Sequence, residues 1–234
     1  MTTTAQPEAS ETSQPAPPRS GPSLVVPAIV TLATLMVSLV IGVAFAGSLY
    51  ANPFADAADI QKYFTDHSTM VRFIAFLQFG SAIGLAVLTA VTWARLRQLT
   101  STISAPLAVG TVGGVLAATF LALNSMVQWT VTHPAVTADP ALVRALNYLF
   151  FGLGGPAHVA ALGVLVAGLS TAGKALHIVP RWFVYTGYVI VALCGLSMLT
   201  TLSQTAAPFI PIGRFTSLIW LVALAFLTPR ARRS

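Results

Sequence analysis

The chain has 234 residues, of which 56% are apolar and only 8% charged, with 12 Lys and Arg against 6 Asp and Glu. Soluble domains carry roughly 25% charged residues, so this composition excludes an ordinary water-exposed globule and fits a surface that faces hydrocarbon. The net charge of +6 does not point to nucleic acid, because the cations are scattered between long uncharged stretches rather than gathered on one segment.

Residues 1–23 are rich in Thr, Ser, Pro, Ala and Gln. They hold too few large apolar side chains to bury a core, and the composition predicts a disordered cytoplasmic tail. From there to residue 229 the sequence predicts one transmembrane domain. No Asp, Glu, Lys or Arg lies between Arg19 and Asp56, Arg72 and Arg95, Arg97 and Asp139, Arg144 and Lys174, or Arg181 and Arg214. A membrane-crossing helix needs about 20 largely apolar residues, and each of these gaps contains such a run. The last gap, after Arg214, is too short alone. It reaches that length only if it is extended back to Phe209, which takes Arg214 into the helix. The predicted spans are 24–50, 71–94, 105–131, 142–169, 182–202 and 209–227. Barrel strands would be shorter and alternate in polarity, so the predicted fold is all-α: a polytopic bundle of six spans.

In chain order, the first span ends near Ala44-Phe45-Ala46, whose small residues resemble a signal cleavage site. Its apolar run is longer than the roughly 7–15 residues of a signal peptide, so it is expected to be retained as an anchor. The loop that follows begins with Asn52-Pro53, and Asp56 and Asp59 suit the early turns of a helix. A short surface helix starting there is predicted. The third span carries Gly110 and Gly114 in a GxxxG pattern, which predicts a close helix-packing face. The fourth contains Gly154-Gly155-Pro156 near its middle; Pro156 cannot donate to the carbonyl of Gly152, so a kink or hinge is expected there. The fifth opens with Pro180-Arg181-Trp182, and residues 230–234 form a basic tail suited to anionic headgroups.

Cations bias short loops toward the cytoplasm. With the N-terminus inside, Arg19, Arg95, Arg97, Lys174, Arg181, Arg230, Arg232 and Arg233 fall on the inner side. Asp56, Asp59, Asp66 and Asp139 fall outside, with Lys62, Arg72, Arg144 and Arg214. Both termini are therefore expected in the cytoplasm.

Polar side chains in hydrocarbon are costly and should face other helices or water. Gln78, Ser81, Thr89 and Thr92 follow helical spacing in the second span, and Asn124 and Gln128 lie one turn apart in the third. Arg144, Asn147, Phe151, Gly155 and His158 share a stripe of the fourth, and Thr186, Cys194, Ser197, Thr201 and Gln204 one of the fifth. Asn124, Gln128, Asn147 and Gln204 belong to the outer halves of their spans. Together with Arg144, Arg214 and His158 they form the candidate ligand site: an outward-facing polar cavity of positive character, suited to a small or lipidic anion. The competing explanation is that the amides only tie helices together.

Other chemistries lack their residues. His158 is the sole histidine in a predicted span, so no bis-histidine haem site is available. Zinc-ligand spacing, a protease elbow and an HExxH pattern are absent. Cys194 is the one cysteine, which excludes an intrachain disulfide and a CxxC redox pair. No catalytic residue, metal or cofactor is therefore assigned, and a non-enzymatic protein is expected. A small transporter or channel hinging at Gly154-Gly155-Pro156 and a scaffold for partner proteins remain as alternatives.

Pro180-Arg181-Trp182, and Arg214-Phe215 through Ile219-Trp220 with the basic tail, give the stretch from about Arg72 to Arg233 a further character. It resembles uncharacterised bacterial multi-pass membrane proteins of similar length. The resemblance implies a bacterial cytoplasmic membrane and supplies no activity.

Overall fold

The computed structural model describes residues 23–46, 51–99 and 105–228. The tails predicted for 1–23 and 230–234 lie outside the described residues, apart from Ser23. Among the described residues the chain is all helical: α1 Val25–Ala46, α2 Ala57–Asp66, α3 Ser68–Leu99, α4 Ala105–Val131, α5 Pro134–Thr137, α6 Pro140–Gly152, α7 His158–Ala175, α8 Arg181–Ser197 and α9 Phe209–Leu227. Six helical stretches are long and apolar enough to cross a membrane: Val25–Phe45, Ser68–Leu99, Ala105–Val131, Pro140–Ala175, Arg181–Thr201 and Gln204–Leu227. The chain is a multi-pass membrane protein. Exposed Val, Ile, Leu and Phe side chains on every long helix are what a hydrocarbon solvent permits.

Helix ends explain most departures from the predicted bounds. The fourth span starts earlier than expected because Asp139 caps α6, accepting from the amides of Ala141 and Leu142 at 2.9 and 3.3 Å. Asn52-Pro53 does not start the surface helix. The Asn52 side chain accepts from the Phe54 amide at 3.0 Å, a local turn that competes with helix. The helix begins at Ala57, with Asp59 in its first turn.

The six crossing elements close into a ring. α1 packs along α3, α3 on α4, α4 on α7, α7 on α8, α8 on α9, and α9 returns to α1. Small residues allow the closest seam, α4 on α7. A Cβ on Gly168 would run into the backbone of Gly110, and a Cβ on Gly113 into that of Leu165. Gly110 therefore packs as the GxxxG pattern predicts, whereas Gly114 turns to Thr89 of α3. Leu85, Leu162, Leu165 and Val166 fill the centre. At one end Trp220 stacks on Phe183, ring centroids 4.7 Å apart, and donates Nε1–H to the Phe183 carbonyl at 3.1 Å. At the other end α2 lies over the bundle, burying Ile60 and Phe64 against Val71, Val131 and Val143.

Candidate functional site

The site is built around the break between α6 and α7. Residues Leu153–Ala157 form a single π turn, and Gly155 leaves helical dihedrals (φ −85°, ψ −106°). Pro156 is the cause: it has no N–H, and its ring clashes with the preceding turn. The amide of His158, which would pair with Gly154 in a regular α-helix, bonds instead to the carbonyls of Leu153 and Gly155. The Gly154 carbonyl accepts from Nη2 of Arg214, which reaches across from α9.

Arg214 is buried, 7% exposed. Among the described residues no carboxylate pairs with Arg214. Its Nε makes no hydrogen bond. Beside it, a Cβ on Gly154 would collide with the side chain of Asn124. Asn124 donates Nδ2–H to Gln78 Oε1 at 3.0 Å, and its own Oδ1 is buried without a partner.

A cavity of about 190 Å³ opens against this pair, lined by Leu39, Asn124, Phe150, Phe151, Gly154, Gly155, Ala207, Ile210, Pro211, Arg214 and Phe215. Asn124 and Arg214 are its polar groups; the rest of the wall is apolar. Apolar cavities of about 150 Å³ are large enough to hold benzene, so the space suits more than a single small ion.

The sequence therefore placed some residues here and not others. Arg214, Asn124, Gly154 and Gly155 meet at the cavity. Gln128, Asn147 and His158 are buried but do not line it. His158 donates Nδ1–H to the Ala117 carbonyl at 2.8 Å, tying α7 to α4. Its Nε2 makes no hydrogen bond, nor do both amide atoms of Asn147 and Oε1 of Gln128. Arg144 and Gln204 are exposed and lie outside the site. Arg144 folds back over its own helix, with its guanidinium carbon 5.7 Å from the Tyr148 ring centre and Nη2 donating to the Tyr148 hydroxyl at 3.2 Å. Gln204 opens a 3₁₀ turn ahead of α9 instead of continuing the α8 stripe. The expected polar chamber is thus an apolar cavity with one cation and one amide, because Gln128 and Asn147 are buried away from it and Gln204 is exposed.

Three wall positions had a readable signal that the spacing argument passed over. Ile210, Pro211 and Phe215 share with Arg214 the i, i+1, i+4, i+5 pattern of one helix face. Phe151 was read only as a member of a polar stripe. Leu39 and Ala207 carried no signal at all. Among the described residues no three His, Cys, Asp or Glu side chains gather into a metal-binding group. Comparison with known protein families, curated proteins and solved structures gives no match, so the functional reading rests on this geometry.

Proposed function

We propose that the chain is a binding protein of the bacterial cytoplasmic membrane, with both termini in the cytoplasm, that holds an anionic group at Arg214 in a cavity of the outer half of the bundle. One observation carries the reading. Among the described residues no acid neutralises this buried guanidinium, which donates to a single backbone carbonyl, with Nε left over, at the wall of a cavity. Charges inside a membrane domain are costly and mark ligand or ion sites, and a planar fork of N–H groups is suited to carboxylate or phosphate. Removing the charge should abolish the response to anions. Inorganic phosphate is expected to raise the thermal midpoint of the purified wild-type protein and not that of Arg214→Gln. Equal shifts in both proteins would remove the proposal.

The broken helix supports a second reading, a transporter that rocks at Gly154-Gly155-Pro156, since discontinuous helices at substrate sites are a recurring transporter device. Gly155 has left helical geometry in the wall of the cavity itself. Liposomes containing the protein would then show phosphate flux that Pro156→Ala reduces; no flux above empty liposomes leaves the binding reading alone.

A further inference from the structure

We infer that the ligand is a lipid-like amphiphile, an anionic head on a long hydrocarbon chain, which enters sideways from the bilayer between α6 and α9. The inference rests on the anion reading of Arg214 and names the ligand class.

The ring of helices is not equally closed along its length. α6 packs on α4 and α2, whereas α9 packs on α8, α1 and α7. α6 and α9 instead face each other across the cavity, with Phe150 and Phe151 on one wall and Ile210, Pro211 and Phe215 on the other. Pro156 stands at the kink that separates α6 from α7, and α9 packs on α7. Both helices carry exposed apolar side chains beside their cavity-lining residues: Leu149 on α6 and Ile212 on α9. In a crossing helix such side chains face lipid. Entry from water is less open. Phe54, in the loop before α2, stands edge-on to Phe151 with ring centroids 5.7 Å apart, and places an aromatic ring beside the cavity on its α2 side.

The wall chemistry agrees with the route. A small hydrated anion gains only the contacts to Arg214 and Asn124 and leaves the Leu, Ile, Pro and Phe wall unfilled, so it uses only part of the site. An amphiphile places its head on Arg214 and Asn124 and its first methylenes on Phe150, Phe151 and Ile210, with the remaining chain in the bilayer. Burying one methylene is worth about 0.8 kcal/mol, roughly a fourfold gain in affinity for each one the cavity accepts.

The test uses the full chain in nanodiscs containing hexadecyl phosphate with a photoreactive diazirine in its chain, and maps the label by peptide mass spectrometry. The expected result is label concentrated on the segments around Phe151 and Ile210, lost in Arg214→Gln and reduced at least tenfold in Ala207→Phe, which fills the cavity without touching the cation. Label spread evenly over the exposed faces of α4 and α8 would overturn the inference. Inorganic phosphate separates the two ideas. If phosphate still stabilises the wild-type protein in an Arg214-dependent way while the lipid label stays diffuse, the amphiphile is wrong and the anion site stands. If neither is seen, the anion site fails as well. Should Arg214→Gln not fold, the Ala207→Phe comparison still decides the route.

Discussion

Arg214 is the residue on which the site depends, and its cost explains its placement. A hydrogen bond to a charged group is worth about 1.5–3 kcal/mol, so losing one from a bound anion should weaken binding by about tenfold or more. Arg214→Lys should retain part of the response, because the charge stays and the fork does not. Isothermal titration with phosphate would rank the three proteins in the order Arg, Lys, Gln. The glycines give a separate test of packing. A Cβ on Gly168 meets the backbone of Gly110, whereas one on Gly80 meets nothing within 4 Å. Gly168→Ala should therefore destabilise by about 1–3 kcal/mol, while Gly80→Ala should be neutral or stabilise by up to about 1 kcal/mol. Thermal unfolding in one detergent would compare them, and similar losses at both positions would contradict the close α4–α7 seam. At this scale the sequence was only partly legible. Gln78, Ser81, Thr89 and Thr92 are all buried as their spacing predicts. Arg144 followed the same kind of stripe and is exposed. A long side chain on an apolar helix can reach a tyrosine one turn away as easily as a neighbouring helix, and spacing does not distinguish the two.

At the scale of elements, the broken fourth span is the organising feature. It supplies the carbonyl that Arg214 takes, and places Gly155 so that a Cβ there would sit 3.1 Å from Ile210 Cδ1. Pro156→Ala would restore a donor for Gly152 and let the π turn relax to an α turn. A π turn carries one extra residue, so its removal rotates α6 by about 100° relative to α7 and moves Phe150 and Phe151 from the wall. The expected outcome is a folded protein, less heat-stable than the wild type because Val143 and Phe150 leave their packing, whose response to phosphate or to alkyl phosphate is lost or much reduced. An unchanged response would show that the kink is only a packing feature. The proline and glycines made this break readable in advance. The carbonyl that it frees, and the arginine that answers it, were not readable, because they come from helices 60 residues apart.

Across the whole molecule, charge follows the ends of the bundle. Asp56, Asp59, Asp66 and Asp139 lie at the end that carries α2 and α5, and Arg97, Lys174 and Arg181 at the other. In the proposed topology the basic end faces the cytoplasm. In a Cys194→Ser background, Ser68→Cys should react with a membrane-impermeant thiol reagent added to intact cells, and Ser101→Cys should react only after lysis. The reverse pattern would invert the topology and with it the leaflet from which a lipid enters. Cys194 itself is buried between α8 and α9, with Sγ 3.3 Å from Ser217 Oγ, and should stay unlabelled in the folded protein.

Composition and charge gaps alone determined that the described residues are helical, with six helices long and apolar enough to cross a membrane. The reason is general: a backbone in hydrocarbon must satisfy its own hydrogen bonds, and an uncharged run of about 20 residues has few other structures open to it. Proline chemistry likewise fixed the break in the fourth span. What only the tertiary structure decided is which polar groups share one cavity. A membrane helix is apolar on every side, so periodicity does not reveal which face meets protein and which meets lipid. Arg214 and Asn124 meet because α9 and α4 both approach the π turn, whereas Arg144 is left outside because it folds over Tyr148, and Gln204 because it sits in an exposed 3₁₀ turn.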